Sequence, residues 1–191
     1  MAQPAGKPPT FDELYRRIQA LPEGKTGEIL EPGVLRTMSR PGKRHRRAQR
    51  HCLAALGSID RTLAGSGWWI ELEAEIGVLG DRLAVPDLSG WRVERVPELP
   101  DENPITILPD WCCEVLSPTT ARDDKRVKLP LYARSGVDWI WLVDAEARLV
   151  EIYQRVGELP ALRTTAAEEE KAMLPPFEIV VDLAPWWLPA T

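Results

Sequence analysis

The sequence predicts a mixed α/β fold in which helices flank a central mixed β-sheet. Three observations carry this. Apolar residues recur at helical spacing in 11–20 and 48–63, and 122–134 also reads as helical. Compact or alternating apolar stretches, bounded by Pro, Gly and acidic residues, lie between and after them. The resulting order of helix, hairpin, helix, strands, helix and strands needs a shared sheet to bury its apolar faces. With 191 residues, 44% of them hydrophobic, the chain has enough material for one core without staples.

Residues 1–10 are polar and Pro-rich and read as a flexible tail ahead of a single domain, 11–191. Phe11, Leu14, Tyr15 and Ile18 form the stripe of a first helix, and Thr10 with Glu13 has the spacing of a capping box. Residues 27–39 read as two strands about the turn Glu31-Pro32-Gly33. Pro41-Gly42 opens a second helix with the stripe Ala48, Cys52, Leu56, Ile59 and Leu63, ended by Gly65-Ser66-Gly67. Residues 68–78 alternate like one strand, 83–88 reads as another, and 90–107 reads as a loop. Strands are expected at 111–116, 139–143, 148–155 and 177–183. Pro130 should kink or divide the helix at 122–134.

The net charge of −5 hides an asymmetry of +6 over residues 1–64 against −11 over 65–191. A basic N-terminal third hints at an anionic partner. No apolar run is long enough for a membrane span and the start lacks a signal-peptide core, so a cytoplasmic protein is expected. Cys52, Cys112 and Cys113 have no zinc-site spacing and read as buried thiols, the adjacent pair on opposite faces of a strand. The tryptophans in expected strands suggest core packing or a flat apolar surface, the latter allowing a homodimer.

Two segments place an acid where the pattern calls for an apolar residue. Asp87 falls on the face of Leu83 and Val85, and Glu114 on the face of Cys112 and Leu116. A buried carboxylate needs a basic partner, a proton or a metal. Patterning alone leaves open a solvated or Arg-paired acid at a strand end. Two such acids on neighbouring strands are natural hard-oxygen ligands for Mg²⁺ or Mn²⁺. Asp124 and Lys128, at i,i+4, share a helix face as a surface ion pair or as part of that site. Lys43, Arg44, His45, Arg46, Arg47 and their neighbours Arg40 and Arg50 form a basic helix start, either solvated or set against phosphates.

Pro86-Asp87, then the run from Pro109 through Glu114-Val115-Leu116-Ser117-Pro118 to Arg122, then Asp124, Lys128 to Ala133, Gly136-Val137 and Trp141-Leu142-Val143-Asp144 occur together. This combination resembles the Uma-type restriction endonuclease family, a branch of the PD-(D/E)XK nuclease superfamily. The resemblance is strongest over 86–153. It implies a restriction-endonuclease-like fold and metal-dependent hydrolysis of DNA phosphodiesters. It implies that Asp87 and Glu114 hold Mg²⁺ or Mn²⁺ with the backbone carbonyl of Val115. Glu28 matches the acid of the N-terminal part, acting through a metal-bound water. His45 matches a position often occupied by His near the site. The family's usual second element has Lys two residues after the acid, where this chain has Leu116; the resemblance assigns that role to Lys128. Net acidity and the missing in-strand lysine favour the alternative, a non-catalytic protein that keeps the fold to bind nucleic acid or a partner.

Overall fold

Thr10 caps the first helix as its spacing predicts. Its side chain accepts the Glu13 N–H, and the Glu13 carboxylate accepts the Thr10 N–H at 2.8 Å. The computed structural model describes residues 7–38, 41–63 and 67–189. The expectations for residues 1–6, Arg40 and Gly65-Ser66 lie outside it, as does the side chain of Leu63. Helix α1 (Phe11–Gln19) lays Leu14 and Ile18 on Ile29 and Leu83. Strands β1 (Thr26–Glu31) and β2 (Val34–Met38) form the expected hairpin. With β4 (Ile76–Val78) and β5 (Arg82–Ala84) they make a four-stranded sheet in the order β2-β1-β5-β4.

The second sheet is the central one. It contains β3 (Trp68–Leu72), β6 (Leu88–Arg92), β7 (Trp111–Leu116), β8 (Trp139–Asp144), β9 (Leu149–Val156) and β10 (Leu159–Ala167). Its order is β10-β9-β8-β7-β6-β3, and only β7 and β8 pair in parallel. One face of β7 (Trp111, Cys113, Val115) packs with Ala48, Cys52 and Leu56 of helix α2 (Lys43–Leu56). The other face (Cys112, Leu116) packs with Leu129, Leu131, Tyr132 and Ala133 of helix α4 (Leu129–Ser135). Cys112 and Cys113 therefore do face opposite ways, and all three thiols are buried and free.

Trp111, Trp141, Trp68 and Phe177 meet edge to face at 4.9–5.3 Å in the first core. Gly90 makes room for them: a Cβ there would stand 3.0 Å from the Trp111 ring and 3.2 Å from that of Trp68. Trp69 and Trp139 are half-buried and pack against the two cores.

Several expected boundaries are corrected. The stretch 68–78 is two strands in different sheets, because Glu73 takes a positive φ of 50° and turns the chain. The stretch 83–88 is also divided: Pro86 cannot donate to a ladder, and Val85 to Asp87 link β5 to β6. Part of the expected loop 90–107 is strand, since β6 runs to Arg92. Helix α2 ends at Leu56, before Gly57, although Ile59 still packs on its core. Strand β10 is additional to the expected strands, and the last strand, β12 (Val180–Asp182), is shorter than expected and pairs with β11 (Lys171–Met173). The helix at 122–134 comprises α3 (Ala121–Asp123), a π turn over Asp124–Lys128, and α4. Pro130 lacks the N–H that an α-helical ladder would give to the Arg126 carbonyl, and the widened turn lies directly ahead of it.

Candidate metal centre

Glu114 is a carboxylate at the middle of the most deeply buried strand. All six residues of β7 are buried. The β6–β7 register pairs Leu88 with Cys113, so one step beyond the ladder Asp87 comes opposite Glu114. Asp87 has no ladder of its own and is held by side chains and loops. Its Oδ2 accepts the Val115 N–H at 2.6 Å, and its Oδ1 lies 2.8 Å from His45 Nε2. Its carbonyl accepts Gln49 Nε2 at 3.2 Å and the Glu73 N–H at 3.3 Å.

Lys128 reaches the same place from the π turn. Its ammonium donates to both Glu114 oxygens at 2.9 and 3.0 Å, and forms an ion pair with Glu28 Oε1 at 2.9 Å. Asp124 Oδ1 is 3.9 Å away, and the Val85 carbonyl is 3.5 Å away. The wider turn lets Asp124 and Lys128 both face inward, and both are buried. Glu28 is fixed by accepting the Val85 N–H at 2.8 Å. Tyr132, four residues after Lys128, donates its hydroxyl to Glu114 Oε1.

Three carboxylates, Glu114, Glu28 and Asp124, thus share one buried ammonium. Burial pushes the Glu114 pKa well above the carboxylate range; Lys128 opposes this, and Asp124, Asp87 and Glu28 add to it. Burial likewise lifts Asp124 to about 6, against the pull of Lys128 and Thr120. For Lys128, burial alone would lower the pKa, but Glu114, Glu28, Asp124 and Asp87 outweigh it and hold the ammonium protonated. Burial, then the Glu114 charge, keeps the Tyr132 hydroxyl a donor.

Asp87, Glu114, Lys128, Glu28 and Val115 all line one pocket of about 1100 Å³. The basic helix start divides. His45 and Arg46 line the pocket, but Arg44 pairs with Glu146 at 3.1 Å and Arg47 donates to the Trp187 carbonyl at 2.8 Å. Lys43 is exposed outside the pocket lining. Asp124, Tyr132 and Gln49 complete the site. Asp124 and Tyr132 flank Lys128 at four-residue spacing, and Gln49 follows His45 at the same spacing, a signal present in the sequence.

Among the described residues, no three His, Cys, Asp or Glu side chains already form a metal shell. Lys128 takes the central place among Glu28, Glu114 and Asp124. The donor chemistry nevertheless fits a hard divalent cation: the oxygens are carboxylates, and their negative charge exceeds what one ammonium neutralises.

The family model Uma2, described as "Putative restriction endonuclease", matches residues 11–184. The chain belongs to this family. A crystal structure from Anabaena variabilis, described as that of a putative nuclease belonging to DUF820, has the same fold, with a TM-score of 0.70. It is 23% identical in sequence, and the match covers 94% of this chain and 97% of that one. No curated protein matches the chain. The restriction-endonuclease-like fold expected of a Uma2 member is thus present, with Glu114 on its mixed central sheet. No helix among the described residues is long and apolar enough to cross a membrane.

Proposed function

We propose that this Uma2 member is a metal-dependent deoxyribonuclease, and that Asp87 and Glu114, with the Val115 carbonyl, hold Mg²⁺ or Mn²⁺. The observation that carries this is the convergence of Glu28, Asp87, Glu114 and Lys128 from four separate segments on one solvent-accessible pocket. A bound divalent ion supplies a low-pKa water and positive charge for the phosphoryl oxygens. The chain supplies the rest. The Val115 N–H and His45 fix the Asp87 carboxylate, and Tyr132 fixes one oxygen of Glu114. Lys128 stays protonated among the buried acids and carries the charge that balances an incoming phosphodiester. Glu28 holds the lysine from the opposite sheet. Arg46 in the lining, whose guanidinium also donates to the Pro41 carbonyl, and exposed Lys43 outside it are the basic groups of the helix start for backbone phosphates, a salt-dependent contribution.

One observation favours a binding role without hydrolysis: Lys128 engages both Glu114 oxygens. Cleavage of supercoiled DNA with Mg²⁺ or Mn²⁺ separates the two readings. The nuclease reading expects wild type to nick the plasmid and Glu114→Gln to lose at least about a hundredfold, as for loss of a transition-state charge contact. Equal cleavage by both proteins rejects this site. Binding of DNA with no cleavage under either ion selects the non-catalytic role.

A further inference from the structure

We infer that His45 and Gln49, one turn apart on α2, are positioning residues that set where the Asp87 carboxylate stands. The inference rests on the metal-dependent reading above. Asp87 lies in the break between β5 and β6, where no ladder fixes it. From α2, His45 Nε2 meets the Asp87 carboxylate at 2.8 Å and Gln49 Nε2 donates to the Asp87 carbonyl at 3.2 Å. One helix therefore grips the residue at both side chain and backbone. The helix itself is seated by Ala48, Cys52 and Leu56 on the first core, so the grip is referred to the face of β7 opposite Glu114.

The polar arrangement has no separate structural rationale. His45 Nδ1 is buried with no partner among the described residues, so the polar contact of this imidazole is spent on Asp87. A residue serving packing alone would be apolar here. Gln49 is likewise buried, amid the apolar face of α2, and its amide donates to Asp87. Partners that orient a metal-binding carboxylate typically change cation affinity 10- to 100-fold when lost.

The Val115 amide, whose N–H goes to Asp87 Oδ2 at 2.6 Å, reports the clamp without any metal. His45→Leu and Gln49→Met remove the two donors. His45→Gln keeps a donor near the Nε2 position. Hydrogen exchange of the Val115 amide is expected to accelerate at least about tenfold in His45→Leu and in Gln49→Met, and to stay within about threefold of wild type in His45→Gln. Calorimetric titration with Mn²⁺ is expected to show affinity lost about tenfold or more in the first two variants and retained in the third. Unchanged Val115 exchange in His45→Leu overturns the inference. So does equal loss in His45→Leu and His45→Gln, which would mean that the imidazole serves something other than this donation. If wild type binds no Mn²⁺ yet Val115 exchange responds as expected, the clamp stands and the metal-dependent reading fails. If wild type binds Mn²⁺ and His45→Leu binds it equally well, the positioning role fails alone.

Discussion

Removing the Lys128 ammonium should leave buried acids without their cation, and the size of that effect follows from the contacts. Lys128 is 3% exposed and touches Glu28 at 2.9 Å, Glu114 at 2.9 and 3.0 Å and Asp124 at 3.9 Å. Lys128→Met keeps much of the apolar stem and deletes the charge. Breaking a buried ion pair from one side costs about 3–5 kcal/mol, because the remaining charge is neither solvated nor paired. Here more than one carboxylate is stranded, so the upper part of that range is expected at pH 7.5. The loss should shrink below about pH 6, where Asp124 takes up a proton instead. The assay is urea unfolding followed by tryptophan fluorescence, with chelator present, at pH 7.5 and pH 5. A loss under about 1 kcal/mol, or one that is the same at both pH values, would refute the reasoning, since either means that the ammonium is not what holds these acids.

Two further perturbations test other parts of the structure. Asp124 is raised from 3.8 to about 6, so the folded chain binds its proton more tightly than the unfolded one; its stabilising contribution is full below about pH 4 and lost as pH rises through 6. Asp124→Asn, neutral throughout, should therefore gain on wild type between pH 4 and pH 7 by up to about 3 kcal/mol in urea unfolding, and a difference flat in pH would contradict the shift. Gly90→Ala drives a methyl against the Trp111 and Trp68 rings at 3.0–3.2 Å, so about 1–3 kcal/mol of stability and part of the near-ultraviolet circular dichroism should be lost. A variant as stable as wild type would show that the rings repack freely.

Glu114 was legible because its strand is short, uniformly apolar and two-faced, so one acid breaks a period-2 pattern that nothing else disturbs. Asp87 was legible as an acid near the site, but its geometry was not. The local pattern extends the strand through it, whereas Pro86 divides the strand and side chains of α2 take over. The π turn was hidden for a related reason: Pro130 announces a defect, but whether the helix kinks, breaks or widens depends on the sheet beneath it. The basic cluster shows the limit most plainly. Arg44 and Arg47 look alike in sequence, yet Glu146 and the Trp187 carbonyl, about a hundred or more residues along the chain, claim both of them. Long-range pairing of this kind leaves no local periodicity to read. Tyr132 and Gln49 are different: their four-residue spacing from Lys128 and His45 lies in the sequence, but neither side chain carries a charge to mark it.

The central claim is that Asp87 and Glu114 hold a divalent cation together. Anomalous diffraction from crystals soaked in Mn²⁺ tests it most directly. The account predicts one strong peak bridging the two carboxylates beside the Val115 carbonyl, absent in Glu114→Gln. Saturating Mn²⁺ with no peak there, or a peak that survives in Glu114→Gln, would contradict it.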